Sequence, residues 1–170
     1  MDKILTVTNL EKSFHTREGE IKALDSISFD VSDKEFISIV GPSGCGKSTI
    51  LSILAGLEEK SNGEISFSKD YTIGYMLQND SLFEWRTVLE NCLLGLEVTK
   101  KLTKENKDYV IYLLKTYGLG EFMDEYPSRL SGGMRQRVAL IRTLATKPDI
   151  LLLDEAMSAL DYQSRLAISD

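Results

Sequence analysis

One stretch constrains this chain more than any other: Phe36-Ile37-Ser38-Ile39-Val40-Gly41-Pro42-Ser43-Gly44-Cys45-Gly46-Lys47-Ser48. Its apolar run, 36–40, reads as a strand buried on both faces, and the residues from Lys47 to Leu57 read as a helix. Strand, glycine-rich turn and helix form the context in which a glycine, four residues and then Gly-Lys-Ser become a phosphate loop. The glycines let backbone N–H groups turn inward, and the helix adds its positive N-terminal end. Lys47 is placed to reach β and γ phosphates, and the Ser48 hydroxyl to ligate Mg²⁺. The plainer alternative is a flexible glycine turn. The phosphate reading nominates Gly41, Pro42, Ser43, Gly44, Cys45, Gly46, Lys47, Ser48 and Thr49 as a nucleotide-binding set.

Two further stretches carry chemistry. Ile150-Leu151-Leu152-Leu153-Asp154-Glu155 places two carboxylates at the end of an apolar strand. Burial there is costly unless they are paired or near a cation. Asp154 is therefore a candidate to hold Mg²⁺, and Glu155 to polarise an attacking water; a solvated acidic turn is the alternative. Ser131-Gly132-Gly133-Met134-Arg135-Gln136 opens a helix that Pro148 ends. Its serine reads as an N-cap and its glycines as backbone donors for an anion, or the whole as ordinary capping.

Around these motifs the chain alternates. Ile4–Val7 and Ile27–Val31 read as half-buried strands on either side of a turn at Glu18-Gly19-Glu20, and 64–68 and 72–77 as short strands. Residues 87–98 and 104–117 read as helices, the second with apolar residues at 110, 113, 114 and 117, and another helix starts near 162–168. The block 80–146 has the character of a helical subdomain inserted into an α/β core.

Length and charge exclude several classes. The 170 residues suit one domain with a core of its own. A net charge of −6 argues against nucleic acid as the main partner, which requires a basic footprint. Cys45 and Cys92 have no metal-ligand spacing, and the single histidine is His15; a reducing cytosol fits better than a disulfide framework. The polar N-terminus does not hold a signal-peptide core, and no apolar run approaches the roughly 20 residues of a membrane span. Work at a membrane would go through a partner.

In this order the motifs resemble the ATP-binding cassette of ABC transporters, and the likeness runs along essentially the whole chain. The loop 41–48 is similar to the family's Walker A, Leu130–Met134 to its signature motif, 150–155 to Walker B with the catalytic glutamate, and Ser158-Ala159-Leu160-Asp161 to its D-loop. The resemblance implies an α/β P-loop NTPase core (RecA-like), with an N-terminal antiparallel β subdomain and an inserted α-helical subdomain at 80–146. It implies ATP and Mg²⁺ as ligands, Lys47 and Glu155 as catalytic residues, and Ser48, Gln78 and Asp154 at the metal. Gln78 matches the Q-loop glutamine, which also senses the membrane partner. Phe14 matches the aromatic that stacks on adenine, with a strand-end core role as the alternative and His15 as a weaker candidate. Ser131, Gly132 and Gly133 would close over the ATP of a second chain.

Two departures bear on the branch and on completeness. Met134 stands where many members have glutamine, and 82–91 has a Trp85-Arg86-Thr87-Val88 centre. Both resemble importers of nitrate, sulfonates, taurine or pyrimidine precursors. Trp85 falls where the family docks its membrane subunit, or is a packing residue. In the family, a strand ending in a γ-phosphate-contacting histidine follows the D-loop, but nine residues follow Asp161 and none is histidine. The expectation is one ABC ATP-binding domain over 1–170 with its C-terminal part missing, lacking the strand between the Walker A and Walker B strands.

The implied role is the ATPase subunit of an importer, peripheral on the cytoplasmic face of the cell membrane. Its implied partners are a second ATPase chain, transmembrane permease subunits and a separate solute-binding protein, and no nucleic acid. A nucleotide-binding fragment with little or no turnover is the competing expectation. A cassette of DNA repair or of the ribosome fits less well: the 84 positions from Lys47 to Ser131 are too few for a long coiled coil, and one cassette is present.

Overall fold

The computed structural model describes residues 2–17 and 19–154. Glu155, the stretch 158–161 and the expected helix at 162–168 lie outside the described residues. The chain divides into two compact units, Met1–Thr72 and Ile73–Asp170.

In the first unit, β1 (Lys3–Thr16) is the middle strand of an antiparallel sheet, flanked by β2 (Gly19–Ser32) and β3 (Asn62–Phe67). The first two strands are much longer than their alternation suggests, because a bulge interrupts the period. Leu5 and Val7 face the core, and then Leu10 and Lys12 do, so the buried parity changes from odd to even. The change occurs at Asn9, in the left-handed region at φ 48, where the pairing with both neighbours slips. Asparagine tolerates that conformation, and one extra residue turns every later side chain to the other face. The bulge is held by side chains: the Asn9 N–H donates to Ser28 Oγ at 2.7 Å, and the Ser26 and Ser28 hydroxyls lie within 3.3 Å of Asn9 Oδ1.

Helix α1 (Lys47–Leu54) follows the glycine-rich loop and buries Ile50, Ile53 and Leu54. It stops three residues short of the expected Leu57. Gly56, at φ 72, turns left-handed while the Leu57 N–H bonds the Ser52 carbonyl and the Gly56 N–H that of Ile53. That is a Schellman cap, which an apolar pattern alone does not reveal.

The expected buried strand at 36–40 is not one. These residues belong to no described ladder, and Phe36 and Val40 are 77% and 88% exposed. A strand inside a parallel sheet needs neighbours to take up its N–H and C=O groups, and an apolar composition cannot replace them.

In the second unit, β4 (Ile73–Met76) pairs in parallel with β5 (Ile150–Leu153), Ile73 opposite Ile150 and Met76 opposite Leu153. Three helices, α2 (Val88–Val98), α3 (Lys104–Thr116) and α4 (Gly132–Leu144), share a core of Cys92, Leu96, Val110, Leu114, Val138 and Ile141. Met76 joins that core. Burial pushes the Cys92 thiol up to about 12, so this cysteine stays protonated and is a packing residue. Thr87 and Glu90 form a full capping box at the start of α2. The Thr-x-x-Glu spacing that signals it is plain in the sequence.

Candidate functional site

The first group of site residues lies in the first unit. Gly44 and Gly46 take φ 78 and 94, a region open to glycine. At Gly46 a second constraint applies: a Cβ would lie 2.6 Å from the Ala23 carbonyl oxygen and from Leu24. The chain reverses there and enters α1 with no side-chain cap and no acidic residue in the first turn. The N–H groups of that turn therefore carry an uncompensated positive end. Lys47 folds back over the loop, donating to the Gly41 and Pro42 carbonyls at 2.9 and 2.8 Å, with Cys45 Sγ at 3.8 Å. Ser43 and Ser48 are exposed, and Thr49 is half-buried beside them in sequence. Two left-handed glycines, a helix end without a side-chain cap and one ammonium suit a polyanion of phosphate size.

Phe14 sits near the end of β1 opposite Ile21 and is 38% exposed. Its other neighbour is Lys12, whose Nζ lies 4.7 Å from the ring centroid while bonding Glu58 and the Glu59 carbonyl. The ring is thus a surface group and not a core residue, as stacking on a base requires. His15 is exposed opposite Glu20.

The second group lies in the second unit. Asp154 and Gln78 emerge from the same end of the parallel pair, just beyond Leu153 and Met76. The Asp154 N–H extends the ladder to the Met76 carbonyl at 3.0 Å, and the carboxylate, buried, accepts from the Tyr75 hydroxyl at 3.4 Å. In parallel sheets ligands gather at the carboxyl ends of strands, where both residues stand. This buried carboxylate has one long neutral hydrogen bond among the described residues, an environment that suits a cation. Among the described residues no cluster of three or more His, Cys, Asp or Glu could hold a metal. The set fits Mg²⁺ nonetheless, which takes one or two protein oxygens and completes its shell with water and phosphate.

Ser131 caps α4, its Oγ accepting from the Met134 N–H at 3.3 Å. Ser131 and Gly132 are exposed, and a Cβ at Gly132 would meet open space, so an anion can approach the first turn. Met134 packs against the helical core, which gives this departure from glutamine an apolar role. Trp85 is 73% exposed, with its ring tilted against that of Phe83 at 4.9 Å between centroids; it is not a core residue, and among the described residues its packing within the helical part is limited to a surface contact of this kind.

Sequence reasoning missed the residues that hold the loop beyond Gln78. Asn91 is fully buried in α2. Its amide donates to the carbonyls of Phe83, Arg86 and Thr87 at 3.1, 3.0 and 2.9 Å, and its oxygen accepts from the Phe83 N–H at 2.8 Å. A polar residue four positions after a helix N-cap, on the apolar face, was the available signal. Arg135 was missed as well, and bonds Asp80 and Glu84. The Arg135 guanidinium holds the Asp80 carboxyl beside it below its usual range.

Comparison with known proteins fits this geometry. The chain is 46% identical over 172 residues to the ABC transporter ATP-binding protein YtlC of Bacillus subtilis, covering 98% of this chain and 66% of that one. It is 41% identical to the taurine import ATP-binding protein TauB of Rhizobium johnstonii, covering 95% and 64%. The chain therefore spans just under two thirds of the length of both. Its fold matches the ATP-binding cassette MJ0796, solved as a dimer in a post-hydrolysis state bound to ADP and Pi. The TM-score is 0.85 at 32% identity, covering 97% of this chain and 79% of that one. The fold class is accordingly an α/β P-loop NTPase core with an antiparallel β part and helices. With residues 24–158 matched by the ABC transporter family model, a phosphate loop before α1 and a buried aspartate at the end of β5, the chain belongs to the ABC transporter family as one of its ATP-binding domains.

Proposed function

We propose that this chain binds and hydrolyses ATP with Mg²⁺ to energise an importer of a small solute such as nitrate, a sulfonate, taurine or a pyrimidine precursor. The observation that carries the reading is the loop 41–48, with its uncapped helix end and Lys47 held over the Gly41 and Pro42 carbonyls. Lys47 exchanges those neutral carbonyls for β and γ phosphate oxygens, a stronger charge-assisted bond. The backbone of Gly41–Gly46, with Ser48 and Thr49, cradles the phosphates, and Phe14 stacks on the base. Ser48, Gln78 and Asp154 hold Mg²⁺, which neutralises phosphate charge when bound. Glu155 polarises the attacking water. Ser131, Gly132 and Gly133 donate to the nucleotide of a second copy, so the working site is composite.

In this reading 1–170 is one ABC ATP-binding domain, with 80–146 as its helical subdomain. It lies peripherally on the cytoplasmic face of the membrane with permease subunits and a solute-binding protein. Among the described residues no helix is long and apolar enough to cross a membrane. The taurine importer relative and the Trp85 segment support the importer branch.

The exposed, unladdered run 36–40 favours a second reading, a nucleotide-binding fragment with little or no turnover. ATP turnover per chain, measured against chain concentration with Mg²⁺, separates the two. Turnover that rises with concentration is the expected result, with Glu155→Gln binding ATP without consuming it. ATP binding without turnover at any concentration selects the fragment, and no ATP binding overturns both.

A further inference from the structure

Lys12 is a charged residue only 8% exposed, on the face of β1 that carries Leu10. An ammonium with so little water around it needs partners close by. They are Glu58 Oε1 at 2.6 Å, the Glu59 carbonyl at 2.7 Å and the Phe14 ring, whose centroid lies 4.7 Å away. Phe14 is two positions further along β1, so the pleat puts both side chains on one face. Glu58 and Glu59 follow the cap that ends α1. The chain just beyond them is also tied to β1, through Ser61. Its N–H donates to the Glu11 carbonyl at 2.8 Å and its hydroxyl accepts from the Ser13 N–H at 3.0 Å.

The other end of α1 meets the same pair of strands. Between Lys12 and Ser13 the β1–β2 pairing slips, from Lys12 opposite Leu24 to Ser13 opposite Lys22, which leaves Ala23 with no residue across from it. A bulge bends its strand and takes the extra residue out of the ladder. Here the Ala23 carbonyl lies against Gly46, the N-cap of α1, so close that a Cβ at Gly46 would be 2.6 Å from its oxygen. The helix that leaves the phosphate loop is therefore held at both ends by the stretch of sheet that carries Phe14, at the loop end by Ala23 and at the far end by Lys12. An ammonium over an aromatic ring occupies one of its faces and restrains its tilt. At 38% exposure the ring keeps surface for a second planar group.

We propose that Lys12 positions the Phe14 ring for the base of the nucleotide, setting the face on which the base stacks and its distance from the phosphate loop. Lys12 is a positioning residue in this scheme and touches no phosphate. The inference rests on the ATP-binding reading with Phe14 at the base, and adds to it a residue that binding of the phosphates alone does not need.

Calorimetry on the full chain with Mg²⁺ compares ATP with inorganic tripolyphosphate, which carries the phosphates without the base. The parent chain should bind ATP about tenfold more tightly or better, the contribution expected of a base on an aromatic ring. Lys12→Met keeps the buried stem without its charge, and should lose about fivefold or more in ATP affinity with tripolyphosphate affinity unaltered. A general loosening of the fold would weaken both ligands. Phe14→Leu should likewise lose ATP alone, and the double variant should be no weaker than Phe14→Leu, because Lys12 acts through the ring.

ATP affinity retained in Lys12→Met, equal losses for the two ligands, or a double variant weaker than Phe14→Leu overturns the inference and leaves the ATP-binding reading standing. A parent chain that binds neither ligand overturns both. A parent chain that binds the two equally well removes the base from Phe14, and the inference with it. If Lys12→Met does not fold, Glu58→Ala decides instead. The Glu58 side chain is 38% exposed, and releasing the ammonium from it should weaken ATP by about threefold or more with tripolyphosphate unaltered. Unchanged ATP affinity there, or equal losses, overturns the inference.

Discussion

Two loops of this protein solve opposite problems. Among the described residues no side chain caps the phosphate loop's helix end at α1, and the loop 41–48 is tied internally by the Lys47 ammonium on two carbonyls and by the Cys45 N–H on the Pro42 carbonyl. The loop 78–87 is bound by side chains along much of its length, through Asn91, Arg135, Arg142 and the Thr87–Glu90 box. Open polar groups cost stability unless water or a ligand takes them up, whereas satisfied ones rigidify. The contrast therefore separates a loop built to receive an anion from one built to hold a shape.

Breaking the second loop should have the largest effect. Asn91→Leu leaves one buried N–H and three carbonyls short of a partner, and should cost about 3 kcal/mol or more in urea unfolding. A loss below roughly 1 kcal/mol would mean that the loop does not depend on this side chain. Next comes Gly46→Ala in the first loop, where a left-handed φ and a Cβ 2.6 Å from the Ala23 carbonyl act together. It should cost about 2 kcal/mol in the same assay and weaken ATP binding by more than tenfold. Retained affinity would show that the loop reaches its binding shape by another route.

Smaller changes sharpen the comparison. Thr87→Ala removes half of the capping box and should cost about 1 kcal/mol, with unchanged ATP binding, since α2 serves shape and not ligand. The smallest effect is on pH dependence. Arg135 lowers the Asp80 pKa, so the folded chain gains stability from this ionisation, fully present above the unfolded value of about 3.9 and lost as pH falls through the lowered folded value. Acid unfolding followed by circular dichroism should therefore be less steep below about pH 4 in Asp80→Asn than in the parent chain. Identical acid profiles would remove this pair from the acid response.

Much of this fold is written locally. Lys104–Thr116 and Ile150–Leu153 lie where period and composition place them, because a helix face or a short apolar strand declares itself within a few residues. The phosphate loop is equally local, since its glycines are demanded by backbone angles within the loop. The antiparallel strands were only partly legible: the Asn9 bulge breaks the alternation that would have marked β1 and β2 in full. The run 36–40 was misleading for the converse reason. Like Ile150–Leu153 it is apolar, but only the latter has a described ladder, on β4.

The sequence by itself determined the order of motifs, the family they belong to, and the positions where only glycine or a capping residue serves. Tertiary structure alone decided which apolar run becomes a strand, which asparagine turns inward to hold a loop, and that Arg135 meets Asp80 across 55 positions of chain. The division follows the range of the forces. Backbone angles and caps are settled by neighbours in sequence, whereas ladder partners and buried ion pairs exist only once distant segments have been brought together.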